Sequence, residues 1–189
     1  PAPLAGRLPR HPRNPHLLNR SDNSLLLFHS ESIAMSNKCC RCWVTCGAIL
    51  LGLGVIVGAV AAHGLDERLQ EVHGDKPVVE KLGGPITAAA KALDDIRTGV
   101  RYHVWHALGM IAVGLAGSLA GTRNWPLQAA GICFGLGIIG FSGGLYALAI
   151  TGISSFGPVA PTGGTLMIIG WFLLAAGTCP CGTQSTPTP

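Results

Sequence analysis

Four long apolar runs divide the chain, and polar connectors separate them. The runs cover residues 44–62, 104–120, 127–150 and about 159–177. A helix rises about 1.5 Å per residue, so the first run alone would extend about 28 Å, close to the thickness of the hydrocarbon core of a bilayer. The pattern therefore predicts an all-α integral membrane bundle of four transmembrane helices.

The connector between the first two runs, residues 63–101, carries six basic and seven acidic side chains. It must therefore lie in water or at the headgroup surface. Its second half has apolar residues at steps of three and four, which is the period of an amphipathic helix. Pro85 suits the first turn of that helix. We expect a surface helix that runs directly into the second span.

The two ends of the chain differ from the apolar centre. Residues 1–34 are rich in Pro, Arg, His, Asn and Ser, and residues 179–189 are rich in Pro and Thr. Both compositions indicate disorder. Met35 precedes the first apolar run, so it is the predicted native start, with an Arg-rich transit peptide as the alternative interpretation of residues 1–34. The predicted membrane domain is residues 35–178.

The composition supports a membrane location. Hydrophobic residues make up 48% of the chain and charged residues only 12%, whereas soluble domains carry about 25% charged residues. The net charge of +4 does not indicate nucleic-acid binding, because no basic stripe with interleaved aromatic residues is present. The expected partner is the lipid bilayer. Gly-x-x-x-Gly pairs begin at Gly54, Gly131 and Gly140, and such pairs allow close helix contacts, including those of a homo-oligomer.

Four spans would place both termini on one side of the membrane. Lys38, Arg41 and Arg123 favour cytoplasmic termini, since short cytoplasmic loops are enriched in Lys and Arg. The six bases of the first connector favour the opposite orientation. We predict a multi-pass protein of the plasma (inner) membrane with both termini in the cytoplasm.

Three histidines are candidates for chemistry. His63 ends the first span, and His103 and His106 begin the second, so a helical hairpin would bring them to the same membrane face. Three imidazoles could bind zinc or iron. Alternatively, each histidine hydrogen-bonds a neighbouring helix, as buried polar groups in membranes must. We prefer the second interpretation and predict no cofactor.

Other polar residues also have two interpretations. Ser142 and Tyr146, one turn apart, could face a polar cavity with His106 or simply bond a neighbouring helix. Arg97 and Arg101 could contact lipid headgroups; alternatively, Arg97 pairs with Asp94 and both arginines extend to the interface. Metal binding, disulfides and acylation all remain open for six terminal cysteines: Cys39, Cys40, Cys42, Cys46, Cys179 and Cys181.

Several motifs together resemble one known family. They are residues 58–65 (GAVAAHGL), 98–108 (TGVRYHVWHAL), 141–152 (FSGGLYALAITG), 161–164 (PTGG) and 170–171 (GW). In this order they are similar to the family called domain of unknown function 423, small bacterial membrane proteins with eukaryotic relatives. The resemblance covers about residues 45–177. It implies a compact four-helix inner-membrane protein without an assigned activity.

The resemblance also implies which residues occupy family motif positions. These are His63, Arg101, Tyr102, His106, Ser142, Tyr146 and Pro161. Two features depart from the family pattern: residues 71–84 have the character of an insertion, and the terminal cysteines lie outside the match. Neither feature inherits a family function.

The functional expectation is correspondingly limited. After Arg123 the chain contains no Asp, Glu, Lys, Arg or His, and no phosphate-binding loop or catalytic dyad is recognisable. We expect a structural or interaction protein rather than an enzyme. The alternatives are a small-solute or ion transporter or channel and, less favoured, a membrane metalloprotein that uses His63, His103 and His106.

Overall fold

A computed structural model describes residues 40–74, 79–81, 84–120 and 124–179. The helices are α1 (Cys40–His63), α2 (Asp66–His73), α3 (Ala88–Ala120), α4 (Trp125–Gly137), α5 (Gly144–Thr151) and α6 (Val159–Thr178). A six-residue π-helix, Ile138–Gly143, joins α4 to α5 and is called the π segment below; a short 3-10 helix, Ser154–Phe156, precedes α6. The predictions for residues 1–34, for Met35 and for the tail after Cys179 lie outside the described residues.

Three stretches of helix are long and apolar enough to cross a membrane: Cys40–His63, Trp125–Thr151 and Ser154–Thr178. They agree with the first, third and fourth predicted spans. Gly152 ends the second of them in the left-handed conformation, with φ of 69°, which glycine adopts without a Cβ penalty. The uncharged run of residues 127–150 thus folds as a continuous helical stretch that ends at a glycine.

The second predicted span, residues 104–120, lies within α3, which continues without a break for 33 residues. This confirms that one helix runs from the polar connector into the second apolar run. The predicted start of the helix at Pro85 is wrong. The Thr87 hydroxyl accepts a hydrogen bond from the backbone N–H of Ala90 and thereby caps the first turn of α3.

Pro85 instead lies in a small hairpin, which is a minor addition to an otherwise helical membrane protein. Strands β1 (Val79–Lys81) and β2 (Gly84–Ile86) pair antiparallel, with Glu80 opposite Pro85. A proline lacks the N–H that a central strand must donate, but the edge strand of a two-stranded sheet tolerates it. The 3.6-residue period of the following segment could not reveal this boundary.

Two apolar clusters form the core. The first joins α3, α4, the π segment and α6 through Ala107, Met110, Val113, Leu127, Ala130, Phe134, Ile138 and Met167. The second joins α1, α2, α3 and α5 through Ala61, Leu69, Ala89, Ala92, Ile96 and Ala149. Alanine is frequent in the second cluster because small side chains let helices approach closely.

Helix α2, which the sequence analysis did not predict, is held against this second cluster. Leu69 is fully buried there, and His73 Nε2 lies 2.7 Å from the Ala149 carbonyl oxygen. A carbonyl only accepts, so His73 Nε2 must carry the hydrogen and donate it. Ala149 lies in the last turn of α5, where carbonyls lack helical partners. His73 therefore caps α5 and holds α2 against it.

The outward face of α1 is apolar. Large aliphatic side chains there are 48–62% exposed: Ile49, Leu53, Val55, Ile56 and Val60. A continuous apolar surface of this kind marks an interaction or membrane surface. It suits contact with acyl chains.

Candidate functional site

The buried polar cluster of the bundle centres on His106. Its Nε2 lies 3.1 Å from Trp171 Nε1 on α6, and its Nδ1 lies 2.6 Å from the Tyr102 carbonyl oxygen one turn earlier. An indole N–H can only donate, so Nε2 must be the acceptor. Nδ1 then carries the hydrogen and donates to Tyr102. Both nitrogens of a neutral imidazole are therefore occupied by protein groups.

Aromatic rings surround this imidazole. Tyr102 stacks on it at 8° with centroids 6.0 Å apart, and the Phe134 and Trp171 rings lie 5.6 Å and 6.0 Å away. The backbone leaves room for Phe134 at Gly170, where a Cβ would lie 2.6 Å from the ring. The cluster joins α3, α4 and α6 in the interior of the bundle.

His103 points to different helices. Its Nδ1 lies 3.4 Å from the Tyr146 hydroxyl on α5, and its ring lies beside Gly54 of α1, where a Cβ would be 3.5 Å away. Tyr146 in turn occupies the space at Gly99, where a Cβ would meet its ring at 2.6 Å. His103 thus fills the contact between α1 and α5, and it does not share the partners of His106.

The three histidines do not form one site. His63 is exposed at the end of α1, whereas His103 and His106 are buried. Within the described ranges, no group of three or more His, Cys, Asp or Glu side chains is placed to hold a metal ion. The hairpin brings α1 and α3 together as predicted, but the position of His63 at the helix end leaves it outside the packed interior.

Ser142 and Tyr146 also differ from the predicted shared cavity with His106. Tyr146 contacts His103, and Ser142 lies fully buried in the π segment. Its Oγ has no hydrogen-bond partner among the residues that the structure describes. The π segment changes the rotation of α5 relative to α4, which a regular helical period cannot anticipate.

We expect a Ser142→Ala variant to be as stable as the parent or more stable, by up to about 1 kcal/mol. A buried hydroxyl without a partner costs desolvation free energy, and alanine removes that cost with little change in volume. The measurement is the free energy of unfolding in detergent micelles. A clear loss of stability would show that the hydroxyl has a partner and would contradict this description.

The predicted arginines lie on the exposed side of α3. Arg97 and Arg101 are both exposed, and neither forms an ion pair with any residue in the described part of the chain. Asp94 and Arg97, which were predicted to pair, form no ion pair with each other in the described structure. The basic side chains beside the second span therefore keep their donors available.

Sequence reasoning missed several interhelical hydrogen bonds. Trp43 Nε1 donates to Gln128 Oε1 at 2.8 Å and connects α1 to α4, and Asn124 Nδ2 donates to the Gly177 carbonyl at 2.8 Å and connects α4 to α6. Trp171 was part of a recognised motif, but only the fold shows that its N–H meets His106. Polar residues that border an apolar run were the available signal for Asn124 and Gln128.

Among the residues that the structure describes, the cysteines form no group that could hold a metal ion. Cys40 is buried beside Gly117, whereas Cys42 and Cys46 are exposed, and all three are free thiols. Cys39 and Cys181 lie outside the described residues. Packing alone accounts for Cys40.

Comparison with known proteins places this architecture among uncharacterised membrane proteins. The sequence profile of a family described as protein of unknown function (DUF423) matches residues 57–164. A UPF0382 membrane protein of Staphylococcus saprophyticus, SSP2132, is 32% identical over 138 residues, which cover 73% of this chain and 97% of the relative. The UPF0382 membrane protein YwdK of Bacillus subtilis is 35% identical over 135 residues, covering 71% and 93% of the two chains.

A third relative is also a UPF0382 membrane protein. A UPF0382 membrane protein of Haemophilus influenzae is 36% identical over 123 residues, which cover 65% of this chain and 82% of the relative. No solved structure shows significant similarity to the chain. The matched region contains His63, Arg101, Tyr102, His103, His106, Ser142 and Tyr146, the polar residues singled out from the sequence.

Proposed function

Because this chain belongs to the DUF423 family of uncharacterised membrane proteins, we propose that it has a structural or interaction role in the membrane and that its buried histidines hold its helices together. The observation that carries this proposal is the bonding of His106. A histidine that binds a metal ion or transfers a proton needs an available ring nitrogen. Both nitrogens of His106 are engaged, by Trp171 and by the Tyr102 carbonyl.

The proposal is tested by measuring the cellular abundance and the metal content of a His106→Ala variant together. A structural role predicts reduced abundance of folded protein and no stoichiometric zinc, iron or copper in the parent. His63→Ala, at an exposed position, is the control and should keep normal abundance. Normal abundance of His106→Ala combined with loss of a bound metal would overturn the proposal.

We further propose that the apolar half of α3, residues 104–120, is a fourth span. At about 1.5 Å per residue its length is about 26 Å, enough to cross most of the hydrocarbon core. Its packing supports this placement. A Cβ at Gly114 would lie 2.7 Å from the Cys40 carbonyl oxygen on α1, and one at Gly109 would lie 3.0 Å from Phe134 on α4. Residues 104–120 therefore lie between helices long enough to cross the membrane.

We also propose that both termini are cytoplasmic, because Arg41 and Arg123 beside the spans favour that side. In this orientation the connector between α3 and α4 is cytoplasmic, and the connectors that follow α1 and α5 are on the opposite side of the plasma membrane. Reporter fusions in the full chain at residues 74–78 and 121–124 are expected to lie on opposite sides. Reporters on the same side would mean that α3 does not span.

Glycine-mediated self-association is not needed to explain the glycine pairs. A Cβ at Gly54 would meet Val104, one at Gly131 would meet Trp43, and one at Gly140 would meet Gly163. These glycines already contact helices of the same chain. A homo-oligomer would therefore use the apolar outer surface, such as the exposed side of α1.

A transporter is the less favoured alternative. Transport sites in membranes usually contain ionisable residues within the spans. Helices α4, α5 and α6 contain no Asp, Glu, Lys, Arg or His, and the buried histidines of α3 contact aromatic residues. The structural role accounts for these contacts without a transported substrate.

A further inference from the structure

A groove between α1 and α3 lies at the end of the bundle nearest the first connector. Its lining residues are Gly58, Ala61, Ala62, Arg97 and Val100, and its volume is about 180 Å³. The groove exists because Gly58 and the two alanines have little or no side chain to fill it. Val100 lies close to Gly58, where a Cβ would be 3.3 Å from its Cγ1. The groove is therefore apolar along its length and basic at Arg97.

The basic end lies at the level expected for lipid headgroups. Arg97 lines the groove together with Ala61 and Ala62, the last residues of the first apolar run. Arg101 follows one turn later on the same side of α3, since residues four apart on a helix are neighbours. Neither guanidinium has an ion-pair partner among the described residues. Two arginines with available donors thus border an apolar groove at the membrane interface.

We propose that this groove binds an anionic phospholipid, with an acyl chain beside Gly58 and the phosphate between Arg97 and Arg101. The planar guanidinium donates two parallel hydrogen bonds to a phosphate, which makes arginine well suited to this group. A basic pocket between helices at the interface is a recognised form of headgroup site. The groove supplies the apolar contact that a free phosphate ion cannot use.

The charges also favour a lipid over a second copy of the chain. A second copy would present the outer face of α1, and residues 40–63 contain no Asp or Glu. Such a contact would leave both arginines without an acid. An anionic lipid would fill the apolar groove with its acyl chain and pair both arginines with its phosphate. This site lies apart from the His106 cluster and goes beyond the proposed structural role.

The test uses the full chain, purified in detergent and titrated with phosphatidylglycerol or phosphatidylcholine, with bound lipid counted by native mass spectrometry. We expect preferential binding of phosphatidylglycerol. Arg97→Gln should weaken it about fivefold, the change that corresponds to about 1 kcal/mol for one basic residue near an anionic headgroup. Arg68→Gln is the matched control, because Arg68 pairs with Glu71 on α2 outside the groove.

A second pair of variants tests the groove without changing the charge. Ala62→Leu should fill the groove and weaken phosphatidylglycerol binding, whereas Ala59→Leu, on α1 but outside the groove lining, should leave it unchanged. Circular dichroism confirms that each variant is folded. Equal binding of both lipids, equal effects of Arg97→Gln and Arg68→Gln, or full competition by inorganic phosphate would overturn the proposal. Dimers that Ala62→Leu converts to monomers would also overturn it, in favour of a second copy.

Discussion

A Gly163→Ala variant is expected to lose about 3 kcal/mol of unfolding free energy, enough to depopulate the folded state of a marginally stable bundle. Gly163 faces the π segment at the closest helix contact of α6. A Cβ there would overlap the backbone nitrogen of Phe141 and would lie 2.7 Å from the carbonyl carbon of Gly140. Backbone atoms cannot rotate away as a flexible side chain can, so the two helices would have to separate.

The neighbouring glycine provides the control. A Cβ at Gly164 would lie 3.4 Å from Phe141 Cδ2, an ordinary contact distance. Gly164→Ala is therefore expected to be neutral or to stabilise the helix by up to about 1 kcal/mol, since alanine has the higher helix propensity. The measurement is unfolding in mixed micelles with increasing denaturing detergent. Equal stabilities of the two variants would contradict the described contact between α6 and the π segment.

A His106→Ala variant is expected to lose about 2–4 kcal/mol of unfolding free energy. The change removes an imidazole that packs between Tyr102 and Phe134, and cavity formation in a core typically costs this much. It also removes the acceptor of the Trp171 N–H. Unfolding in the same micelles measures the loss.

Two comparison variants separate packing from chemistry. His106→Gln retains an amide oxygen that can accept from Trp171, so it should recover part of the lost stability. His63→Ala should show no loss, because His63 is exposed at the end of α1. If His106→Ala kept full stability, the imidazole could not be a structural contact between α3 and α6.

The positions of three spans follow from the sequence because they depend on local composition. An uncharged run such as residues 127–150 has few stable alternatives to a helix in lipid. The continuity of α3 also follows, because its apolar period extends across the polar boundary. The docking of His73 on Ala149, by contrast, depends on residues 76 positions apart along the chain. No local period reports such pairings.

The candidate site could also be predicted only in part, because the sequence gives local spacing but not the packing of the helices. Helical spacing places His103 and His106 close together on α3, but only the packed bundle determines that they face different partners, Tyr146 and Trp171. The π segment adds a local change of rotation at Ser142. Whether His63 is buried or exposed depends on where α1 ends relative to α3. The polar residues of the site could therefore be identified from the sequence, but the side chains that they contact could not.

We propose that His106 and Trp171 act together to hold α3 against α6. A double-mutant cycle tests it most directly, with unfolding free energies measured for His106→Ala, Trp171→Phe, the double variant and the parent. We predict a coupling free energy of about 0.6 kcal/mol and not above about 1.7 kcal/mol, which are the average and the maximum measured for interhelical hydrogen bonds in membranes. Strictly additive effects of the two substitutions would contradict the claim.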